Sequence, residues 1–137
     1  MDLGLAGKKA IITGGSRGIG LYTAKLLASE GCDIVFCARR PEDITSAADS
    51  INTGDGGSAW GFQADLEDET ATRQFARDAL EALGGADIVI HNASGFDMAG
   101  DEAGWMRSFQ VDMGKRCFTG RCLVRGRFLG SAQAGEP

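Results

Sequence analysis

Apolar residues in this chain occur in short dense runs that alternate with longer stretches in which they recur every three or four residues. The dense runs predict strands and the spaced stretches predict helices. We place the strands at 9–12, 32–37, 58–64 and 86–91, and the helices between them at 21–28, 41–51 and 68–83. Strands that are apolar almost throughout are typical of a parallel sheet covered on both faces. The alternation therefore predicts an α/β fold with a doubly wound parallel sheet.

Residues that start or stop helices support these boundaries. Pro41 opens the second predicted helix, a position where the missing backbone N–H would have no partner in any case. Acidic residues at 67–69 come at the start of the third helix, the end at which negative charge is favoured. Gly31 follows the first helix and a glycine pair, 84–85, follows the third, as is common at helix C-termini.

The turn between the first strand and the first helix is rich in glycine. Residues 13–20 read TGGSRGIG, so Gly14, Gly18 and Gly20 have the spacing Gly-x3-Gly-x-Gly. Glycines let the backbone approach an anion closely, and the free N–H groups at the start of a helix then point at it. A tight turn without a ligand also uses glycines, but the strand–turn–helix setting favours a nucleotide phosphate site.

The end of the second strand indicates which dinucleotide would bind. Folds that prefer NAD place an acid about 20 residues past the glycines, to hold the ribose 2′-hydroxyl. Asp33 comes too early for this role, and Ala38 occupies the expected position. Arg39 and Arg40 follow it, and Arg17 lies in the glycine-rich turn; a guanidinium suits the 2′-phosphate of NADP. The pattern favours NADP(H) over NAD(H), the alternative being a solvated arginine pair.

Composition narrows the class of protein. The chain has 137 residues and a net charge of −5, which argues against a nucleic-acid partner. No apolar run approaches the roughly 18 residues of a membrane span, and the N-terminus does not resemble a signal peptide, so we expect a cytoplasmic protein with no membrane partner. The four cysteines show no zinc-type pairing, which favours buried or reduced thiols and no metal site.

Four motifs in order resemble the N-terminal, cofactor-binding half of the short-chain dehydrogenase/reductase family. They are the glycine-rich turn at 13–20, the arginine pair at 39–40, Asp65-Leu66 after the third strand, and residues 92–95, NASG, after the fourth. The resemblance covers about residues 5 to 113. It implies a Rossmann-type sheet with strand order 3-2-1-4, a dinucleotide cofactor, and hydride transfer to or from an alcohol or carbonyl substrate.

The resemblance also implies a set of cofactor-binding residues. Asp65 and Leu66 would lie against the adenine, and Asn92-Ala93 would steady the strand end beside the cofactor. The full set is Gly14, Ser16, Arg17, Gly18, Ile19, Gly20, Arg39, Arg40, Asp65, Leu66, Asn92, Ala93 and Ser94. His91, the single histidine, has no orienting acid nearby in sequence and is a poor candidate for catalysis.

The catalytic residues of the family have no clear counterpart. Asp112 stands where the family has a catalytic asparagine, and an ionised aspartate can only accept hydrogen bonds. The family's proton donor is a tyrosine with a lysine four residues on and a serine upstream. This chain has one tyrosine, Tyr22, in the first helix, with Lys25 three residues on. We expect dinucleotide binding without turnover, so that a substrate would bind only if the chain were completed.

Three interpretations of the function of this chain stay open. It is a fragment of an NADP-dependent oxidoreductase, or a binding-only or regulatory protein that holds NADP without turnover. In the third reading a partner chain supplies the missing serine, tyrosine and lysine.

The last part of the chain differs in composition from the first. Residues 114–137 hold five basic residues and one acid, and glycines recur every six residues from Gly114 to Gly126, a period of neither helix nor strand. We therefore expect one cofactor-binding unit over 1–113 and a Gly/Arg-rich tail outside the family fold. A truncated or out-of-frame end is favoured over a natural short variant. A nucleic-acid-binding tail would need an aromatic or folded scaffold.

The predicted strand order leaves one apolar edge. Strand 86–91 would lie at the edge of the sheet, and it carries the apolar residues Ile88, Val89 and Ile90. It has no proline or lysine, the residues that discourage an edge strand from pairing with another chain. The helix expected to carry Trp105, Phe109 and Met113 on one side would also leave apolar surface uncovered. We therefore expect a homo-oligomer, or association with a partner through this edge.

Overall fold

The computed structural model describes residues 2–94, 101–109 and 111. Strands and helices alternate along this part of the chain. In chain order they are β1 Lys9–Thr13, α1 Gly18–Ser29, β2 Asp33–Ala38, α2 Pro41–Asn52, β3 Ala59–Gln63, α3 Glu69–Leu83, β4 Ile88–His91 and α4 Glu102–Phe109. Asp112, Met113 and the tail from 114 to 137 lie outside the described residues.

The four strands form one parallel sheet in the order β3-β2-β1-β4. This confirms the predicted α/β class and strand order. Ile11 of β1 pairs with Val35 of β2 on one side and with Val89 of β4 on the other. All carboxyl ends of the strands therefore lie at the same edge of the sheet.

Each face of the sheet packs against its own set of helices. Ile11 and Val35 belong to a buried cluster with Phe75 of α3, whereas Ile12 and Phe36 belong to a second cluster that includes residues of α1 and α2. Successive side chains of a strand point to opposite faces, so a strand buried on both sides needs apolar residues throughout. Full burial of such a side chain contributes about 1.5–3 kcal/mol.

Two element boundaries differ from the sequence prediction for identifiable reasons. Helix α1 begins at Gly18 and not at Leu21, because the N–H of Leu21 already donates to the carbonyl of Arg17 at 3.3 Å. Strand β4 begins at Ile88 and not at residue 86. Just before it, the Asp87 carboxylate accepts the N–H of Lys9 at 3.0 Å, so a side chain replaces a backbone partner there.

Helix α3 has the predicted residues at both ends. Asp68 caps its N-terminus by accepting the N–H of Thr70 at 2.8 Å and that of Ala71 at 3.4 Å. Gly84 ends it in the left-handed conformation, with φ 73°. A side-chain cap of this kind contributes about 1 kcal/mol, so local sequence signals fix the ends of this helix.

Helix α4 leaves large apolar side chains in solvent. Trp105 is 74% exposed and Met106 is 52% exposed. Nothing in the described part of the chain covers them, and the other members of the predicted stripe, Met113 and the side chain of Phe109, lie outside what is described. Among the helices described, none has the length and apolar character needed to cross a bilayer.

Candidate functional site

A cleft opens at the carboxyl edge of the sheet, where the turns after all four strands meet. Its lining residues are Gly14, Ser16, Arg17, Cys37, Ala38, Arg39, Arg40, Asp43, Ala64, Asp65, Leu66, Glu67, Asn92, Ala93, Ser94 and Val111. Ten of the thirteen predicted cofactor residues are in this set. The other three, Gly18, Ile19 and Gly20, belong to the first turn of α1 and do not line the wall.

The glycine-rich turn is anchored to the end of β2. The N–H groups of Gly14 and Gly15 both donate to the carbonyl of Cys37, at 3.0 and 3.2 Å. These two groups therefore have a protein acceptor. Helix α1 begins four residues on, and its first N–H groups lack an intrahelical acceptor. An anion in the cleft would therefore meet the backbone from Ser16 onward.

Two glycines are required by close packing. A Cβ at Gly20 would overlap the carbonyl oxygen of Gly14 and lie 2.5 Å from the side-chain nitrogen of Asn92. A Cβ at Gly15 would lie 2.6 Å from the Cβ of Phe36. The start of α1 thus lies against the backbone of the turn, and Phe36 of β2 lies against Gly15, too closely for a side chain on either glycine.

The hydroxyl of Thr13 joins the ends of β1 and β4. Its Oγ1 accepts the N–H of Asn92 at 3.0 Å and that of Ala93 at 3.1 Å, and the side chain of Asn92 donates to the carbonyl of Gly14 at 3.0 Å. The sequence reading gave Thr13 no role of its own. Its only signal is its place at the head of the glycine run.

The single histidine contacts two parts of the site without lining the cleft. Nδ1 of His91 lies 3.3 Å from Oγ1 of Thr13, and Nε2 lies 3.1 Å from the carbonyl oxygen of Val111. Val111 lines the cleft. Sequence reasoning set His91 aside as a catalytic candidate and missed these contacts, because the partners are 78 and 20 residues away.

Three arginines are among the residues that line the cleft. Arg17, Arg39 and Arg40 all line it, and none forms a salt bridge with a carboxylate in the described part of the chain. The side chain of Gln63 donates to the carbonyl of Arg39 at 3.2 Å, which fixes the backbone there. Gln63 carried no sequence signal for this contact.

Three carboxylates share the cleft with these arginines. They belong to Asp43, Asp65 and Glu67. Asp65 also accepts the N–H of Glu67 at 3.0 Å, which closes the turn after β3. Asp43 and Glu67 were not among the predicted site residues.

The two cysteines described are buried thiols, as predicted. Cys37 is 1% exposed, and burial raises its pKa to about 11. Burial also raises the pKa of Cys32, with a further contribution from the negative charge of Asp33. Burial therefore disfavours the thiolate, which is the reactive form, in both residues. Among the residues described, no group of three or more potential ligands is arranged for a metal ion.

The sequence that forms this fold matches a known family. The family model described as short chain dehydrogenase matches residues 8–118. The chain belongs to the short-chain dehydrogenase family. Asp112, which stands where the family has an asparagine, lies within the matched range but outside the described residues.

Curated proteins and solved structures resemble the chain in sequence and in fold. An uncharacterised oxidoreductase of Mycobacterium tuberculosis is 43% identical over 89 residues, which are 64% of this chain and 26% of the relative. A metagenomic short-chain oxidoreductase solved in complex with NADP is 30% identical with a TM-score of 0.81, covering 88% of this chain and 57% of that one. An NADH-dependent reductase solved with NAD is 25% identical with a TM-score of 0.81, covering 98% and 57%.

These comparisons bear on the cofactor and on length. Both of these solved structures hold a nicotinamide dinucleotide, NADP in the short-chain oxidoreductase and NAD in the NADH-dependent reductase. The chain spans about a quarter to just over half the length of these relatives.

Proposed function

We propose that this chain is the NADP(H)-binding part of a short-chain dehydrogenase/reductase, a family that transfers hydride between a dinucleotide and an alcohol or carbonyl. The observation that carries the choice of NADP(H) is the set of three arginines on the cleft, with Ala38 at the end of β2 where an NAD-selective acid would be. The cofactor site is then the set predicted from the sequence, with Gly18 to Gly20 acting through the helix N-terminus.

Charge in the cleft supports a phosphate more than a hydroxyl at the 2′ position. A phosphate monoester carries about −1.5 to −2 charges at pH 7. Arg17, Arg39 and Arg40 have no carboxylate partner among the described residues, so their guanidinium groups are available to it. The cleft carboxylates Asp65 and Glu67 follow β3, on the side where the family resemblance places the adenine.

Arg39→Ala should weaken NADPH binding by roughly ten- to a hundredfold, because a charge-assisted hydrogen bond contributes about 1.5–3 kcal/mol. NADH lacks the 2′-phosphate and should lose no more than about twofold by the same affinity scale. Titration of each reduced dinucleotide, followed by its fluorescence, measures both. Arg77→Ala is the matched control, because Arg77 is an exposed arginine of α3 that does not line the cleft. Equal losses for NADPH and NADH would contradict the NADP(H) assignment.

We also propose that the chain alone does not turn over a substrate. Its one tyrosine, Tyr22, is 66% exposed on α1 and does not line the cleft. The competing candidate is a subunit whose partner supplies the serine, tyrosine and lysine. In the part of the chain that the structure describes, the open edge of β4 and the exposed apolar side chains of α4 favour an associating chain over a solitary one.

The proposed association runs through β4. It is an edge of the sheet as far as the structure describes it, and Val89 is 42% exposed. Val89→Lys should shift an oligomer toward monomer, because a charged side chain on an edge strand discourages pairing. Multi-angle light scattering over a concentration series measures the change. Trp60→Lys is the control, since Trp60 is 43% exposed on the opposite edge strand, β3. A monomeric wild type, or equal shifts in both variants, would contradict association through β4.

A further inference from the structure

The hydrogen bonds of Thr13 determine the direction of its contact with His91. Thr13 is fully buried, and its oxygen already accepts two backbone N–H groups, from Asn92 and Ala93. A hydroxyl has two acceptor lone pairs and one hydrogen to donate. Its hydrogen must therefore point at Nδ1 of His91, 3.3 Å away, and that nitrogen accepts.

The contact of the other ring nitrogen, Nε2, assigns the same tautomer independently. A backbone carbonyl can only accept, so Nε2 of His91 carries a hydrogen and donates it to Val111 at 3.1 Å. Both contacts thus require the neutral ring with its proton on Nε2. Protonation of Nδ1 would give Thr13 a third donor and leave its own hydrogen without this acceptor.

The two contacts join elements that are far apart in the chain. Thr13 ends β1, His91 ends β4, and Val111 follows α4. Val111 lines the cleft and is 5% exposed, whereas His91 itself does not line the cleft. The two contacts thus give His91 an indirect connection to the cleft, through the groups that it holds.

We propose that His91 is a positioning residue of the cleft, which in its neutral Nε2-protonated form ties the backbone of Val111 to the Thr13 hydroxyl. This inference rests on the proposed function for its effect on dinucleotide binding. The assignment of the two hydrogen bonds does not rest on the proposed function, because the His91 ring, Thr13 and Val111 form them without a ligand.

Three variants separate the two contacts. Glutamine places its amide near the position of Nε2 and can still donate to Val111. Asparagine reaches only the position of Nδ1 and can still accept from Thr13. Leucine can do neither. His91→Leu and His91→Asn should bind NADPH about tenfold more weakly than wild type, on the scale of one or two hydrogen bonds. His91→Gln should stay within about threefold on the same scale.

The matched control is Thr53→Ala at the C-terminal end of α2, which removes an exposed hydrogen bond to the carbonyl of Ser50 and does not line the cleft. Circular dichroism and urea unfolding show whether each variant folds. Equal losses in all three His91 variants would indicate general destabilisation and overturn the inference. Normal NADPH binding by His91→Asn together with weakened binding by His91→Gln would also overturn the inference, because the Val111 contact would then be dispensable.

The tautomer can be measured without any ligand. His91 is the only histidine, so in a chain free of a histidine tag the ring ¹⁵N signals belong to it alone. At neutral pH we expect one protonated nitrogen, Nε2, and one unprotonated nitrogen, Nδ1. The ¹³C signal of the Val111 carbonyl should move in His91→Leu and His91→Asn and return to its wild-type position in His91→Gln. A neutral ring with its proton on Nδ1, or a Val111 carbonyl signal that is the same in all three variants as in wild type, would overturn the inference.

These readouts keep the two proposals apart. Failure of wild type to bind either dinucleotide would refute the proposed function, and the ring spectrum and the Val111 carbonyl signal would still decide the role of His91. Tight NADPH binding with the wrong tautomer would refute the positioning role and leave the proposed function standing.

Discussion

Gly20→Ala is expected to abolish most dinucleotide binding and to destabilise the fold. The added methyl group would overlap the carbonyl oxygen of Gly14 and crowd the Asn92 amide, which donates to that same oxygen. Overpacking of this kind costs about 1–3 kcal/mol, and a lost hydrogen bond costs about 1 kcal/mol more. Displacing the start of α1 also removes N–H groups from a bound phosphate. Two charge-assisted bonds correspond to an affinity loss on the order of a hundredfold or more.

Urea unfolding and NADPH titration measure the two effects in one set of variants. Gly54→Ala is the matched control, because its nearest neighbour would be the N of Gly56, 4.0 Å away. Gly18→Ala is a useful intermediate. Its φ is +59° but no atom lies within 4 Å, so it should show only the left-handed backbone cost, about 1–2 kcal/mol. If Gly20→Ala matched Gly54→Ala in both stability and NADPH affinity, the proposed effect of close packing at the start of α1 would be contradicted.

The elements of this fold were predictable because the signals for them are local. Four apolar runs and the punctuation around them identify four strands and three helices, and Asp68 and Gly84 mark the ends of α3 from sequence alone. Exact boundaries were not predictable where a distant residue intervenes. The carboxylate that replaces a backbone partner of Lys9 comes from Asp87, 78 residues on.

The candidate site divides in the same way. Glycines and turn residues at strand ends can be recognised in the sequence, and ten of the thirteen predicted residues lie along one cleft. The contacts that support these residues could not be predicted. Gln63 reaches Arg39 across 24 residues, and His91 reaches Val111 across 20. Gln63 and His91 are single polar residues at strand ends, and the residues next to them in sequence do not indicate these distant partners. The boundary at residue 113 and the roles of the individual site residues stay predictions.

NADPH consumption by the chain alone should stay at background with a panel of ketones and aldehydes. Reduction of a carbonyl requires a proton donor within hydrogen-bond reach of the substrate oxygen. The family's donor is a tyrosine assisted by a lysine four residues on, and the chain's one tyrosine is Tyr22, exposed on α1 and outside the cleft. General acid catalysis typically supplies about 10²–10⁴-fold. Without it, even a dinucleotide held correctly beside a carbonyl would react too slowly to detect.

The assay distinguishes the readings left open by the sequence. A complete short-chain reductase run in parallel shows that the substrate panel is adequate, and NADPH titration shows that the chain binds its cofactor under the same conditions. Turnover that appears only when a second chain is added would support a partner that supplies the donor. Turnover by the chain alone that survives Tyr22→Phe would reveal a different donor. Turnover abolished by Tyr22→Phe would make Tyr22 the acid, and binding without turnover would then have to be given up.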